Sequence, residues 1–327
     1  MSTRRPVCSV IVPNWNGRHF LEGCLECVRA QTFSDFETIV VDNGSSDDSV
    51  EFVRRRFPDV RVRVLATNGG FAVAVNRGIE WARGRYVAFL NNDTEPEPTW
   101  LNELVVAMDR RRDAGLADSK IVLFDDRSRL DSCGELYSAW GFPIPRGRDE
   151  DEDAYKDASE VFGVSGGAMI ARREVLEQIG ILDESFFMYY EDIDLSFRVR
   201  LAGFACLNVP SSRVAHHVGG TSGGLTPTMR FHSLKNMALV YLKNMPSPLF
   251  WRLLPRFIAL QALLAASAVA KGQAKAGVQA YAYLLRNHAR IRGERRRVQA
   301  LRRIGASELH AAMDPGFPAP LLRRLRR

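Results

Sequence analysis

Runs of strand-like and helix-like sequence take turns through the first 125 residues, and this alternation constrains the fold more than any other feature. Val7–Val12, Thr38–Val41, Val60–Leu65, Tyr86–Leu90 and Leu116–Phe124 read as strands. Between them, Phe20–Ala30, a stretch capped by Ser45-Ser46-Asp47-Asp48 and ending at Phe57 before Pro58, Phe71–Ala82 and Thr99–Arg112 read as helices. A strand that returns through a helix lies parallel to its predecessor, so the expected class is α/β, a mostly parallel sheet with helices on both faces. Residues 125–160 lose the periodicity and carry the acidic run Asp149-Glu150-Asp151-Glu152-Asp153, which predicts a surface excursion. Order resumes at Val161, with helices over Arg172–Ile179 and Asp192–Ala202 and a strand over Ala205–Val209. After the glycine-rich stretch Gly219–Gly224 the chain reads as helical and increasingly basic, and no internal repeat is visible.

Charge divides the chain. From Lys243 onward there are 17 Lys and Arg against 3 Asp and Glu, while residues 1–242 hold 28 against 35. The expected organisation is an α/β unit over 1–227 and a helical, basic extension over 228–327. Basic amphipathic helices suit an anionic membrane surface; charged helices packed on the first unit are the alternative. Aromatic residues are not interleaved with the arginines, so no nucleic-acid partner is expected. The longest uncharged run, Phe257–Ala270, has 14 residues, short of the roughly 18 to 20 that span a bilayer. With five scattered cysteines and no apolar leader, a cytoplasmic location is expected, peripheral at the inner face of the membrane if the tail binds there. Cys24 and Cys27 share the apolar face of a helix and lack a second C-x-x-C pair, so packing is their expected role.

In an open parallel sheet, ligands bind beyond the carboxyl ends of the strands. Four such ends are polar: Pro13-Asn-Trp-Asn-Gly17, Asp42-Asn-Gly-Ser-Ser46, Thr67-Asn-Gly-Gly70 and Asn91-Asn-Asp93. Any one of them could be an ordinary turn; four in succession along one edge indicate a site. No G-x-G-x-x-G follows the first strand and no G-x-x-x-x-G-K-[ST] occurs, which argues against dinucleotide and P-loop chemistry. A bound diphosphate would then need a hard divalent cation on a carboxylate, and Asp93 is placed to hold one.

Val10-Ile-Val-Pro-Asn-Trp-Asn16, Ile39-Val-Val-Asp-Asn-Gly-Ser-Ser-Asp47, Asn68-Gly-Gly-Phe-Ala72 running to Asn76-Arg-Gly78, Phe89-Leu-Asn-Asn-Asp-Thr94, Gly166-Gly-Ala168 and Tyr190-Glu-Asp-Ile-Asp194 together resemble the ordered motifs of family 2 glycosyltransferases. The resemblance covers roughly Val7 to Ser222, is greatest to the rhamnosyltransferase-like branch, and implies the GT-A fold, a Rossmann-like sheet. It implies a dTDP- or UDP-sugar donor, transfer of rhamnose or another hexose with inversion, a lipid-linked or cell-surface glycan acceptor, and Mg²⁺ or Mn²⁺. Carried over, it places Pro13, Asn14, Asn16, Asp42, Asn68, Asn76 and Asn92 around the nucleotide, Gly166 and Gly167 at the sugar, and Asp93 with His216 on the metal. Asn91-Asn92-Asp93 occupies the place of a D-x-D motif with Asn at its first acidic position.

The same resemblance makes Glu191-Asp192 the acidic pair, with Asp192 as general base. Chemistry agrees on residue type, because a carboxylate within hydrogen-bond reach can take the proton of an attacking hydroxyl. Carboxylates also favour the start of a helix for electrostatic reasons alone, and that plainer reading stays open. So do a sugar-phosphate nucleotidyltransferase, although Pro13–Gly17 lacks the basic glycine-rich loop such an enzyme needs, and a non-catalytic sugar-nucleotide-binding protein.

Overall fold

The computed structural model describes residues 5–218 and 226–317. The stretch Gly219–Gly224 singled out in the sequence and the terminal Leu321–Arg327 lie outside the described residues. The first half follows the alternation: β1 (Cys8–Asn14), α1 (Arg18–Arg29), β2 (Phe36–Asp42), α2 (Ser49–Arg56), β3 (Arg61–Val64), α3 (Phe71–Trp81), β4 (Tyr86–Leu90), β5 (Thr94–Pro96), α4 (Trp100–Arg110) and β6 (Ala114–Leu123). Then come β7 (Leu130–Ser132), β8 (Glu135–Tyr137), β9 (Pro143–Pro145), β10 (Ser159–Val161), β11 (Ala168–Arg172), α5 (Arg173–Ile179), α6 (Glu191–Leu201) and β12 (Ala205–His216). The C-terminal helices are α7 (Pro227–Asn244), α8 (Ser247–Ala270), α9 (Ala274–Arg286), α10 (His288–Ala300) and α11 (Ala306–Ala311).

The sheet runs β10-β12-β6-β11-β4-β1-β2-β3. β3, β2, β1 and β4 are mutually parallel, as the crossover helices require, and β6 pairs parallel with β12. Antiparallel β11 joins the two halves. Helices cover both faces, so strand residues are buried whichever way they point. Cys8, Val10 and Val12 enter the core under α1, α2 and α4, while Ile11 enters the core under α3, α5 and α6. Within α1, Leu21, Cys24, Leu25 and Val28 form the buried stripe, and all five cysteines of the chain are free thiols.

Two expectations change. Residues 125–160 are only in part a surface excursion: the acidic run Asp149–Asp153 is largely exposed, but β7 extends the sheet on β6, β8 and β9 form a hairpin, and Leu130, Cys133, Tyr137 and Phe142 are buried. Their apolar residues are too widely spaced to show a period, because each short strand contributes one or two. The strand expected to end at Val209 continues to His216. Its register with β6 breaks between Val209 and Arg213, where Pro210 lacks an N–H for the ladder, and pairing then resumes.

The C-terminal helices share their core with the sheet domain. Leu239, Val240 and Tyr241 of α7 pack with Tyr137, Phe162, Phe186 and Phe197. Lys243, 1% exposed, reaches Asp183 at 2.5 Å and Asp194 at 2.9 Å, and Arg198 closes on Asp194 at 3.0 Å. Helix α8 is long and apolar enough to cross a membrane by length and composition. The uncharged run in the sequence stops at Arg256 and misses this, since the helix extends ten residues further toward Ser247.

Candidate active site

Loops after four parallel strands interlock at one edge of the sheet. Asn14 Nδ2 donates to Asp42 Oδ1 at 3.0 Å, and Asn14 Oδ1 accepts from Asn92 Nδ2 at 2.7 Å, so β1, β2 and the turn after β4 are tied side chain to side chain. Asp42 Oδ2 accepts from the Ser45 N–H at 3.0 Å. Asn16 sits in the left-handed region with φ of 50° and accepts from the Ser46 N–H at 2.8 Å. Pro13 and Asn68 are partly exposed, whereas Asn14 and Asp42 are buried. Asn68 Oδ1 accepts from Asn43 Nδ2 at 3.0 Å and from the Gly70 N–H at 2.9 Å.

Asn76 does something other than line a nucleotide pocket. Its Nδ2 donates to the Leu182 carbonyl at 2.9 Å and its Oδ1 accepts from the Leu182 N–H at 3.1 Å. With 1% exposure its amide is spent on pinning the segment before α6 to α3.

Beside these loops lies a cavity of about 520 Å³ lined by Asn91, Asp93, Gly166, Gly167, Glu191, Asp192 and His216, together with Asp131 and Glu135. Asp93 and His216 meet because β5, which follows Asp93, pairs antiparallel with the end of β12, setting His216 opposite Thr94. His216 Nε2 lies 3.5 Å from Asp93 Oδ2, and its Nδ1 is held by Asp131 Oδ2 at 2.8 Å. Asp131 also pairs with Arg148. Asp93 Oδ1 is buried without a hydrogen-bond partner among the described residues. His217 faces elsewhere, stacked on Phe124 at 3.6 Å and bonded to Glu95 at 3.3 Å.

An unpartnered carboxylate oxygen beside an imidazole nitrogen whose other nitrogen is fixed by a second carboxylate is a donor set suited to Mn²⁺ or Mg²⁺. Among the described residues, no group of three or more His, Cys, Asp and Glu side chains could hold a metal by itself. Two protein ligands fit a cation that takes its remaining ligands from a bound diphosphate and water.

The same cavity is lined by the two carboxylates at the start of α6. Phe187, Tyr189 and Tyr190 precede them with φ of 66°, 69° and 69°, a costly run for residues with bulky side chains. Asn236 of α7 holds this turn: its Nδ2 donates to the carbonyls of Phe186, Met188 and Tyr189 at 2.9, 2.7 and 2.9 Å. Asp192 accepts from the Gly166 N–H at 2.8 Å and from the Ile193 N–H at 2.8 Å. A Cβ on residue 166 would sit 3.3 Å from Asp192, so glycine there lets the backbone reach the carboxylate.

Burial raises the pKa of both carboxyls, but their environments differ. The two N–H donors on Asp192 favour its charged form, opposing burial. Glu191 is 7% exposed, its Oε2 has no hydrogen-bond partner among the described residues, and burial followed by the neighbouring Asp192 charge pushes it to about 8. Near neutral pH the pair therefore favours one negative charge, on Asp192. Behind Gly166, fully buried Asp118 accepts from the Ser165 N–H at 2.9 Å and from Asn208 Nδ2 at 2.9 Å. Asp118, Asp131 and Asn236 carry no motif in the sequence. Asp118 alone left a trace, an acidic residue in the polar Asp118-Ser119-Lys120 interruption of a strand that is apolar on either side.

The sequence pattern that defines glycosyl transferase family 2 matches residues 9–180. This chain belongs to that family. It is a glycosyltransferase of the inverting kind, with a nucleoside-diphosphate sugar as donor and a hydroxyl as acceptor. It is 28% identical over 242 residues to the N-acetylglucosaminyl-diphospho-decaprenol L-rhamnosyltransferase of Mycobacterium tuberculosis, covering 66% of this chain and 78% of that one. An uncharacterized protein of Sinorhizobium fredii is 29% identical over 231 residues, and there the glycosyltransferase matches 25% of the relative's length. Its fold is similar to the mannosyltransferase PcManGT of Pyrobaculum calidifontis, solved with GDP-Man and Mn²⁺, with a TM-score of 0.55 at 19% identity over 91% of this chain and 86% of that one. GalNAc-T7, solved with UDP, GalNAc and Mn²⁺, gives a TM-score of 0.58 at 19% identity over 74% of this chain and 48% of that one.

Proposed function

We propose that Asp192 is the general base, taking the proton of the acceptor hydroxyl while the cavity wall across from it binds the donor diphosphate. What carries this reading is that Asp192 and Asp93 line one cavity from opposite elements, the start of α6 and the turn after β4. The amides of Gly166 and Ile193 keep Asp192 ionised and fixed in direction, so it meets an incoming hydroxyl without rearrangement. Glu191, held neutral, contributes a polar wall without a second negative charge beside the donor. Asp93 and His216 would hold a divalent cation, which when bound neutralises charge on the departing diphosphate. The Asn14–Asp42–Asn92 linkage, with Pro13, Asn16 and Asn68 around it, shapes the nucleoside end of the site.

The Mycobacterium relative supports rhamnose as the sugar and a polyprenyl-diphosphate glycan as the acceptor, and with them a place in cell-wall or surface-polysaccharide synthesis at the inner face of the membrane. Residues 1–227 would carry the chemistry, with 228–327 as a helical extension docked on it. Thermal stabilisation tests the donor and metal assignments together. The expected result is a rise in melting temperature with dTDP- or UDP-rhamnose and Mn²⁺ that disappears in Asp93→Ala. The same rise in that variant would remove Asp93 from the cation site.

A further inference from the structure

Helix α8 is apolar on two opposite sides, and the protein covers one of them. Leu249, Leu253, Phe257, Leu260, Leu264 and Ala268 are buried. On the other side Trp251, Pro255, Ile258, Ala262, Ala266 and Val269 are exposed, with Trp251 at 70%, Ile258 at 57% and Val269 at 63%. Their spacing of three or four residues sets them within an arc of about 80° at 100° per residue, along a helix of about 36 Å. An apolar helix face belongs in an apolar environment, and on the outer side of α8 that environment is missing. The neighbouring α9 continues the face with Val278 at 68% and Leu285 at 75% exposure.

Charge indicates what covers it. From Ser247 to Gly293 there is no Asp or Glu and there are seven Lys or Arg. Arg252, Arg256, Lys275 and Arg286 are among the exposed ones. A protein partner would need acidic residues opposite these; a bilayer with anionic headgroups meets both the apolar stripe and the cations, with Trp251 suited to the boundary between them. Because the inner side of α8 is packed against the fold, the helix would lie along the surface instead of crossing it.

We infer that the outer face of α8, continued by α9, is the surface on which this glycosyltransferase sits against an anionic lipid bilayer. The inference rests on the reading of the cavity as the transfer site and adds the direction from which a lipid-linked acceptor arrives. Strand β9 connects the two. Pro143 and Pro145 line the cavity, while Phe142 and Ile144 pack in one cluster with Leu260 and Leu264 of α8. One strand and one helix, the latter about 10 Å across, therefore lie between the bilayer and that wall of the cavity.

Sedimentation of the full chain with vesicles tests this. Partition onto phosphatidylglycerol-containing vesicles should exceed that onto phosphatidylcholine vesicles and fall as salt is raised. Trp251→Glu/Ile258→Glu should weaken it by about tenfold or more, whereas Val64→Glu, placed at an exposed apolar residue of β3, should leave it unchanged. Unaltered melting temperatures and nucleotide-induced stabilisation would show that the variants fold. Equal partition onto neutral vesicles, no binding by the unaltered chain, or full binding by the double variant would overturn the inference. So would a dimer that the double variant dissolves, since a second copy would then cover the face. Loss of the transfer reading, by contrast, would show as activity that survives removal of Asp192 and would leave the vesicle result as it is.

Discussion

Asp118 and Asp192 accept hydrogen bonds from consecutive backbone amides, those of Ser165 and Gly166, at 2.9 and 2.8 Å. Two carboxylates thus grip one loop from opposite sides, one from the middle of the sheet and one from the start of α6. Fixing the loop fixes the direction in which Asp192 presents its other lone pairs.

Asp118→Ala removes the acceptor of the Ser165 N–H and leaves the Asn208 amide only the Ser119 carbonyl at 3.3 Å. A loss of about 1 to 3 kcal/mol in stability is expected. A merely structural role would stop there; positioning of Asp192 would also lower kcat while leaving KM for the donor near its original value. Denaturant titration and steady-state kinetics on the same variant check both.

Glu191 sets a pH dependence of stability. The folded protein keeps its proton up to about 8, against 4.5 for the free side chain. Between those values the folded state binds more protons than the unfolded chain, so stability falls as pH rises through this window. Asp118, raised by burial to about 7 from 3.8, acts in the same direction. Glu191→Gln should flatten the fall in melting temperature between about pH 5 and 8 without abolishing it. An unchanged slope would show that Glu191 titrates normally.

Lys243 ties the C-terminal helices to the sheet domain through Asp183 and Asp194. Lys243→Met strands Asp194, which is fully buried, with Arg198 as its remaining cation. Breaking a buried pair from one side typically costs about 3 to 5 kcal/mol. The variant should unfold at markedly lower denaturant. A change below about 1 kcal/mol, the range of an exposed pair, would contradict the buried assignment.

The elements around the polar edge of the sheet were legible because each rule had a single competitor to defeat. Two-face burial made β1, β2 and β4 continuous apolar runs, and the polar ends of those strands stood out against them. Legibility failed where contacts are long-range. Asp131 reaches His216 across 85 residues, and Asn236 reaches the turn before Glu191 from another helix; neither leaves a local pattern. Asn76 shows the opposite hazard. An asparagine in a motif can serve backbone as readily as ligand, and its partner Leu182 lies 106 residues away. The extent of β12 was hidden by Pro210, which ends most strands and here marks a bulge.

Transfer by Asp192→Asn, measured with the donor that stabilises the protein, bears most directly on the account. Asparagine keeps the volume and an oxygen for the Gly166 amide, yet it cannot accept the hydroxyl proton. Turnover should fall by about 10² to 10⁴-fold while nucleotide-induced stabilisation persists. Turnover equal to that of the unaltered chain would contradict the assignment of Asp192 as the base.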